Sequence, residues 1–280
     1  MKVSACIIAY NHENYIIDCL EGALSQKVNF DYEIVIGEDK STDATLKICE
    51  EYVSRYPDKI RLIKRDVNLG MMGNWTDTIK SCQGKYIAIC EGDDYWTDPL
   101  KLQKQVDFLE VNPDYTFCVH RYKLYIENDK KFEEKIYPIH YESYTGFDHG
   151  IEIEKKVFAK DWFTQPLTAV IVREELKEVL KMQEHFHYFR DYHIFYFLLQ
   201  RGKGICLENC AGVYRINDGG IASGKTSYEK IKIAFLIFEE LYLYTKEAFF
   251  VFIFFICVFV FFIIHRNFNF IFFFLIFILI

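Results

Sequence analysis

An acidic motif that could bind a metal ion or take part in catalysis lies directly after the apolar segment 85–90. It reads Glu91, Gly92, Asp93 and Asp94. Neighbouring carboxylates repel one another, so such a cluster is stable when a divalent cation binds it or when the loop is solvated. Mg²⁺ and Mn²⁺ take oxygen ligands and commonly share them between one or two carboxylates and substrate phosphates. The motif therefore indicates either a metal site or an acidic surface turn.

A second acidic segment begins with Glu38 and Asp39, after the strand-like residues 32–37. An acidic residue at the end of the second strand binds ribose in dinucleotide sites, so this pair is a candidate for contact with a base or a ribose. The alternative is that residues 41–43, which read Ser-Thr-Asp, simply cap the next helix. Both interpretations can hold together, because Glu38 and Asp39 precede the capping positions.

A third candidate is Asp191, which lies between Arg190 and Tyr192 at the predicted start of a helix. A carboxylate at this position is stabilised by the helix dipole. It is also suited to act as a general base. The spacing alone leaves both roles open.

The first half of the chain alternates strand-like and helix-like segments, and these segments must position the acidic motifs. The pattern predicts strands at 3–9, 32–37, 60–63 and 85–90, and helices at 15–25, 44–55, 73–81 and 98–111. Repeated β-α-β units specify a parallel sheet covered by helices. Ligands on such sheets bind beyond the carboxyl ends of the strands, which is where the first two acidic motifs lie.

The second half of the chain is less regular. We predict a polar and aromatic surface excursion over 127–154, which could contain a hairpin, a strand at 168–172, helices at 174–182, 192–200 and 227–246, and one or two strands within 205–216. This organisation predicts a main α/β domain over residues 1–226 and a C-terminal helix with a hydrophobic tail over 227–280.

The tail is strongly apolar. Residues 249–264 are sixteen consecutive apolar residues, and residues 270–280 are eleven more. A bilayer span needs about 20 apolar residues, so we predict an embedded hairpin or a single span that attaches the chain to a membrane. A Phe-rich product of a shifted frame or a truncated gene is the alternative. The start of the chain has too short an apolar run for a signal peptide, so the main domain is expected in the cytosol.

Charge and cysteine content exclude other classes. The formal net charge of −7 argues against a nucleic-acid partner, which usually requires a basic surface. The nine cysteines form no C-x-x-C pair, which indicates buried thiols in a reducing compartment.

Residues 219–226 match the phosphate-binding pattern G-x-x-x-x-G-K-T. That loop normally opens a parallel α/β domain, whereas only 54 residues follow Thr226 here. We interpret the match as a chance one, and a P-loop nucleotidase remains an alternative function.

Together the motifs resemble family 2 glycosyltransferases of the GT-A fold, a Rossmann-like nucleotide-diphospho-sugar transferase fold. The resemblance rests on the order of several short segments: Ala9-Tyr10-Asn11, Glu38-Asp39-Lys40-Ser41-Thr42-Asp43, Asn68-Leu69-Gly70, Glu91-Gly92-Asp93-Asp94-Tyr95-Trp96 and Asp98-Pro99-Leu100-Lys101-Leu102. Later segments, among them Val213-Tyr214-Arg215-Ile216-Asn217, resemble the bacterial surface-polysaccharide members of the family.

The resemblance implies roles for individual residues. Asp39 would contact the base, Asp93 would lie near the ribose and diphosphate, and Asp94 would bind a divalent metal, Mn²⁺ or Mg²⁺, with Asp93 beside it. Asp191 resembles the catalytic base, and Arg215 could add a cation near the phosphates or form a salt bridge at the strand edge. The full set expected to bind the nucleotide-sugar is Ala9, Tyr10, Asn11, Glu38, Asp39, Asn68, Gly70, Asp93 and Arg215.

The sequence departs from the family's pattern at three positions. Glu38 and Glu91 stand where Asp is common. Asn217 stands where His is frequent after Tyr-Arg, so this position offers an amide oxygen in place of an imidazole nitrogen.

The resemblance implies an inverting glycosyltransferase of cell-surface polysaccharide synthesis. The expected donor is a nucleotide-sugar, a UDP-sugar by resemblance, and the expected acceptor is a saccharide or a lipid-linked acceptor. Transfer to polyprenyl phosphate is a variant of this hypothesis. A non-catalytic membrane scaffold is an alternative from a different class.

Overall fold

The computed structural model describes residues 1–144, 150–160, 163–220 and 226–247. They form two compact units: Met1–Gln183 with Ile194–Asn217, and Glu184–His193 with the described residues from Asp218 onward. The predicted membrane tail and residues 221–225 of the P-loop-like pattern lie outside the described residues. None of the helices within these described ranges is long and apolar enough to cross a bilayer.

The first unit contains a ten-stranded sheet. Its strands are β1 (Val3–Ala9), β2 (Tyr32–Glu38), β3 (Ile60–Lys64), β4 (Tyr86–Glu91), β5 (Tyr95–Trp96), β6 (Tyr115–Ile126), β7 (Lys131–Tyr137), β8 (Ile151–Ile153), β9 (Val170–Val172) and β10 (Lys203–Ile216). Their order in the sheet is β3-β2-β1-β4-β9-β6-β10-β5, and in addition β7 pairs with β6 and β8 with β10.

The helices alternate with the strands in the first half of the chain, as predicted. They are α1 (Ile16–Leu24), α2 (Thr45–Arg55), α3 (Gly70–Ser81), α4 (Lys101–Val111), α5 (Lys155–Lys160), α6 (Arg173–Leu180), α7 (Asp191–Leu198) and α8 (Ser227–Thr245). A capping box between Thr226 and Glu229 fixes the start of α8.

The sheet is parallel in its first half and mixed in its second. Strand β1 pairs in parallel with β2 and β4, and β3 extends this block beside β2. Strand β9 then runs antiparallel to both β4 and β6. Every residue of β1 and β2 is buried, which explains why their sequences are nearly continuous apolar runs. The predicted parallel block is thus confirmed, and the second half adds antiparallel pairing.

The described cysteines agree with the expectation of buried thiols. Eight free cysteines occur among the described residues, and seven of them are buried. Burial raises the pKa of Cys49 to about 12, so its thiolate is scarce at neutral pH and the thiol is unreactive.

The first residue of α4 is a fully buried lysine. Lys101 has no exposed surface. Its Nζ donates to Gln105 Oε1 at 2.8 Å and lies 4.1 Å from the centre of the Trp96 ring. Burial lowers the pKa of Lys101 to about 7, because the ammonium group loses its hydration and no carboxylate among the described residues forms an ion pair with it.

Lys101→Met should therefore increase the free energy of unfolding at pH 6, by on the order of 2–4 kcal/mol. Below pH 7 the lysine is charged in both states, and the folded state bears the desolvation cost. Between about 7 and the ordinary value of 10.5, the unfolded chain holds the extra proton, so the wild-type protein gains stability as pH rises. Urea denaturation should show that the variant exceeds the wild type in free energy of unfolding by less at pH 9.5 than at pH 6.

The matched control is Lys47→Met, which replaces an exposed lysine of α2 and should change stability little at either pH. A Lys101→Met advantage that is absent or independent of pH would contradict the assignment of Lys101 as a buried charge.

Candidate active site

The carboxyl ends of three neighbouring parallel strands meet at one edge of the sheet. The amide of Asp39, just after β2, donates to Ala9 O at the end of β1 (2.9 Å). On the other side of β1, the Gly92 amide donates to Ile8 O (2.9 Å). The two acidic motifs of the sequence therefore lie on either side of the same strand end.

The loops that follow β1 and β2 are tied together by reciprocal hydrogen bonds. Asn11 Oδ1 accepts from the Thr42 amide (2.8 Å), and the Asn11 amide donates to Ser41 Oγ (3.0 Å). Glu13 Oε2 likewise accepts from the Ala44 amide (2.8 Å). We call residues 10–13 and 39–45 the paired loops.

Asn11 and Glu38, both predicted to bind the ligand, form hydrogen bonds with the loop backbone. Asn11 adopts a φ of 55°, a left-handed conformation that Asn tolerates better than most residues. Glu38 is 1% exposed and accepts from the amides of Lys40 (3.2 Å) and Ser41 (2.7 Å). Ala9 is buried, whereas Tyr10 is exposed on the paired loops.

Asp39, Asn68 and Gly70 form one cluster. Asp39 Oδ1 accepts from the Leu69 amide (2.8 Å), and Asp39 O accepts from Asn68 Nδ2 (2.9 Å). Gly70 begins α3 with a φ of +72°, which glycine adopts without strain. Burial raises the pKa of Asp39, although the amides of Leu69 and Gly70 oppose this shift. The structure thus brings three predicted site residues into direct contact.

Asp93 presents the accessible carboxylate of the 91–94 motif. Its side chain is 18% exposed, and its Oδ1 lies 3.9 Å from His12 Nε2. Its Oδ2 accepts from Asn217 Nδ2 at 3.0 Å. A Cβ at residue 92 would lie 2.7 Å from His12 Nδ1, so glycine is required there for the two loops to approach.

The sequence interpretation missed His12 as a neighbour of the acidic motif. Its position directly after the Ala9–Asn11 segment was the available signal, because that segment ends a strand next to β4. Asn217, noted only as a departure from the family pattern, proves to contact Asp93 directly.

Asp94 points inward rather than toward solvent. It is 1% exposed, and its Oδ1 accepts from the Arg215 amide (2.7 Å). Its Oδ2 is buried and has no hydrogen-bond partner among the described residues. Burial, followed by the charges of Asp93 and Glu91, raises the pKa of Asp94 well above its usual range. A proton or a cation is needed to stabilise this carboxyl group.

Arg215 takes the salt-bridge role that the sequence left open beside phosphate binding. The residue is 7% exposed, and its guanidinium pairs with Glu127 (2.8 Å) and Asp18 (2.7 Å). In this geometry its donors are directed at protein groups.

The donor set suits a hard divalent cation. Asp93 and Asp94 offer carboxylate oxygens, one of them unpartnered, and Asn217 lies beside them; Mg²⁺ and Mn²⁺ prefer such oxygen ligands. Among the described residues, no group of three His, Cys, Asp or Glu side chains forms a complete metal cluster. A cation held here would take further ligands from water or a substrate diphosphate, as Mg²⁺ commonly does.

Asp191 belongs to the second unit, where it begins α7. It is half-buried, and its Oδ1 accepts from the Tyr192 amide (2.9 Å). Burial raises the pKa of Asp191, and the Tyr192 amide opposes the shift. Within the same unit, Glu240 of α8 accepts from the amides of His187 (3.1 Å) and Tyr188 (3.0 Å), which fixes the segment before α7.

Comparison with protein families gives a match of residues 4–180 to the model described as glycosyl transferase family 2. An uncharacterized protein of Mycobacterium tuberculosis is 45% identical over 132 residues, which cover 47% of this chain and 38% of that protein. The chain thus spans about two fifths of that relative. The putative teichuronic acid biosynthesis glycosyltransferase TuaG of Bacillus subtilis is 25% identical over 85% of this chain and 88% of its own length.

Solved structures share the fold at low identity. S. aureus TarS 1-349 in complex with UDP-GlcNAc matches with a TM-score of 0.60 and 18% identity, covering 86% of this chain and 67% of that one. The mannosyltransferase PcManGT from Pyrobaculum calidifontis, in complex with GDP-Man and Mn²⁺, matches with a TM-score of 0.60 and 16% identity, covering 88% of this chain and 64% of that one. These likenesses show a mixed α/β GT-A-like fold.

Proposed function

Because this chain belongs to glycosyl transferase family 2, we propose that it transfers a sugar, with inversion, from a nucleotide-sugar to a saccharide or lipid-linked acceptor in cell-surface polysaccharide synthesis. The observation that carries the proposal is the position of Asp93. Its partly exposed carboxylate lies at the strand edge where β1 and β4 end, between His12 and Asn217. Ligands of open α/β sheets bind at such edges.

The paired loops and the Asp39 cluster would hold the nucleoside of the donor. Asp39 O and Oδ1 already bind Asn68 and Leu69, so these groups are held in place before a ligand arrives. We propose a UDP-sugar as the donor, which is supported by the UDP-GlcNAc bound in the TarS structure.

Asp93, with Asp94 behind it, would hold a divalent metal, Mn²⁺ or Mg²⁺. When bound, such a cation stabilises the negative charge that develops on the departing nucleoside diphosphate. The raised pKa of Asp94 supports this assignment, since a nearby cation would favour the ionised carboxylate. The Mn²⁺ in the complex of PcManGT supports the choice of metal class.

Asp191 would act as the general base. It would accept the proton of the acceptor hydroxyl, whose oxygen then forms the new bond to the anomeric carbon on the face opposite the diphosphate. The bond from that carbon to the diphosphate oxygen breaks, and the nucleoside diphosphate departs with the electron pair. The raised pKa of Asp191 makes it a stronger base than an exposed aspartate, which favours proton transfer.

The proposed location is the cytoplasmic face of a bacterial membrane, with residues 227–280 as a membrane-associating region. A hydrophobic tail would keep the catalytic unit close to a lipid-linked acceptor. The name of TuaG, a putative teichuronic acid biosynthesis glycosyltransferase, supports a polysaccharide acceptor over polyprenyl phosphate itself.

Thermal unfolding in the presence of a panel of nucleotide-sugars tests the proposed function. A ligand at a hundredfold excess over its Kd adds about 2.7 kcal/mol of stability, so the correct donor should raise Tm by roughly 5–10 °C. EDTA should remove most of this increase, and Mn²⁺ should restore it.

Protection by ATP in place of nucleotide-sugars would indicate the P-loop alternative. A protein that no nucleotide or nucleotide-sugar protects, with or without Mn²⁺, would be a non-catalytic scaffold, and the transferase proposal would be wrong.

A further inference from the structure

Arg215 binds three separate segments of the first unit at once. Its Nε donates to Asp93 O (2.9 Å), and its terminal nitrogens donate to Glu127 Oε2 (2.8 Å) and Asp18 Oδ2 (2.7 Å). Its amide donates to Asp94 Oδ1 (2.7 Å). One residue of β10 is therefore joined to α1, to the turn after β6 and to the acidic 91–94 motif.

Aromatic rings surround the same guanidinium. Its Cζ lies 5.0 Å from the ring centre of Tyr15, 5.2 Å from that of Tyr95 and 5.6 Å from that of Tyr125. Cation–π contacts at these distances add to the ion pairs. The side chain is 7% exposed, so the group is held in a fixed orientation rather than sampling solvent.

We propose that Arg215 is a positioning residue for the acidic motif, and that it fixes the Asp93 main chain and the Asp94 side chain without touching the substrate. This inference rests on the proposed function, because the motif it positions is the proposed diphosphate and metal site. The two contacts to the motif, at Asp93 O and Asp94 Oδ1, come from different atoms of one residue. By fixing the turn at these two points, the contacts determine the direction in which the Asp93 side chain points.

The competing role is direct binding of the donor phosphates. For that role the guanidinium would have to exchange Glu127 and Asp18 for a diphosphate, although both carboxylates already form charge-assisted hydrogen bonds with it. The two roles predict opposite effects when these acids are neutralised. A phosphate-binding arginine would be released and would bind the donor more tightly, whereas a positioning arginine would lose its anchors.

The decisive experiment is titration calorimetry of UDP in the presence of Mn²⁺ with the double variant Asp18→Asn/Glu127→Gln. We expect the affinity for UDP to fall about tenfold, which corresponds to about 1.4 kcal/mol. Arg215→Lys should weaken it by at least as much, because lysine keeps the charge but cannot reproduce the planar set of donors. Tighter or unchanged binding in the double variant, or near-normal binding in Arg215→Lys, would overturn the proposal.

Two controls match these changes. Arg121→Lys alters another largely buried arginine, which pairs with Glu142 and lies 4.4 Å from the ring centre of Tyr141. Glu21→Gln neutralises a second acid of α1, whose carboxylate binds Tyr52. Neither should change the affinity for UDP more than twofold.

A measurement without ligand separates this proposal from the proposed function. Hydrogen exchange of a peptide covering residues 91–97 should become at least tenfold faster in Arg215→Lys than in the wild type, while a peptide covering β1 is unchanged. Unaltered exchange over 91–97 would refute a positioning role whether or not the protein binds any nucleotide. If the wild type binds no nucleotide but exchange does accelerate, the function is wrong and the positioning role stands.

Discussion

Asp93→Asn should lower the affinity for UDP in the presence of Mn²⁺ by on the order of 100-fold or more, since loss of groups outside the direct ligand shell already costs about 10–100-fold. The variant keeps an oxygen that can accept from Asn217 but removes the accessible negative charge. Tm should stay within a few degrees or rise, because the repulsion between Asp93 and Asp94 that contributes to the raised pKa of Asp94 is relieved.

Titration of UDP with and without Mn²⁺ measures the effect. Asp107→Asn is the matched control, because it neutralises an exposed aspartate of α4 that accepts from Gln103. If Asp93→Asn bound UDP with normal metal dependence, the metal site would have to be sought elsewhere in the chain.

Asp191→Asn should reduce kcat by about 10²–10⁴-fold, the usual contribution of a general base, and should leave the affinity for the donor nearly unchanged. Asparagine can still accept from the Tyr192 amide, so the start of α7 should be preserved. The readout is steady-state transfer together with calorimetric binding of UDP.

The pH dependence of kcat provides a second test of this prediction. A base works only when ionised, so wild-type kcat should fall as pH falls through the pKa of Asp191, which burial places above the ordinary 3.8. The Asn variant should lack this acidic limb. Glu184→Gln, an exposed acid of the same unit, should leave both rate and profile intact. Normal turnover by Asp191→Asn would remove the residue from the mechanism.

Sequence reasoning predicted the parallel half of the fold because three of its strands, β1, β2 and β4, are short, mostly apolar and almost wholly buried. Their nearly continuous apolar runs indicate them without further signals. Helix α3 begins at Gly70, three residues before the predicted start, because the Asn68 side chain accepts from the Gly70 amide and initiates the turn.

The second half depends on contacts that are distant in sequence. The sequence predicts no strand for β6 and places β7 within a surface excursion that could contain a hairpin, because the β7 residues Lys-Phe-Glu-Glu-Lys-Ile-Tyr show no regular alternation of polar and apolar types. Strand β6 pairs with β7 across a short turn and with β10, which lies about ninety residues away along the chain. Such pairing leaves a weak local signal.

The sequence likewise predicted the candidate site only in part. Spacing indicated which residues follow the strands, but not where each carboxylate points. Asp93 and Asp94 are neighbours, yet one is partly exposed and the other buried, because the β10 backbone at Arg215 captures Asp94. Glu38 turns back onto its own loop for a comparable reason, since two free amides lie within reach. Asp18 and Glu127 carried no motif and became visible only as partners of Arg215.

The paired loops have a consequence for the thermodynamics of ligand capture. Their polar side chains hold one another's backbone, as Asn11 does for Thr42 and Glu13 for Ala44. A rim that is already ordered has little conformational entropy left to lose when a nucleotide arrives. Affinity at this edge should therefore depend mainly on the contacts that the ligand makes. Removing one hydrogen bond between the paired loops should weaken the binding even of ligands that do not contact that bond.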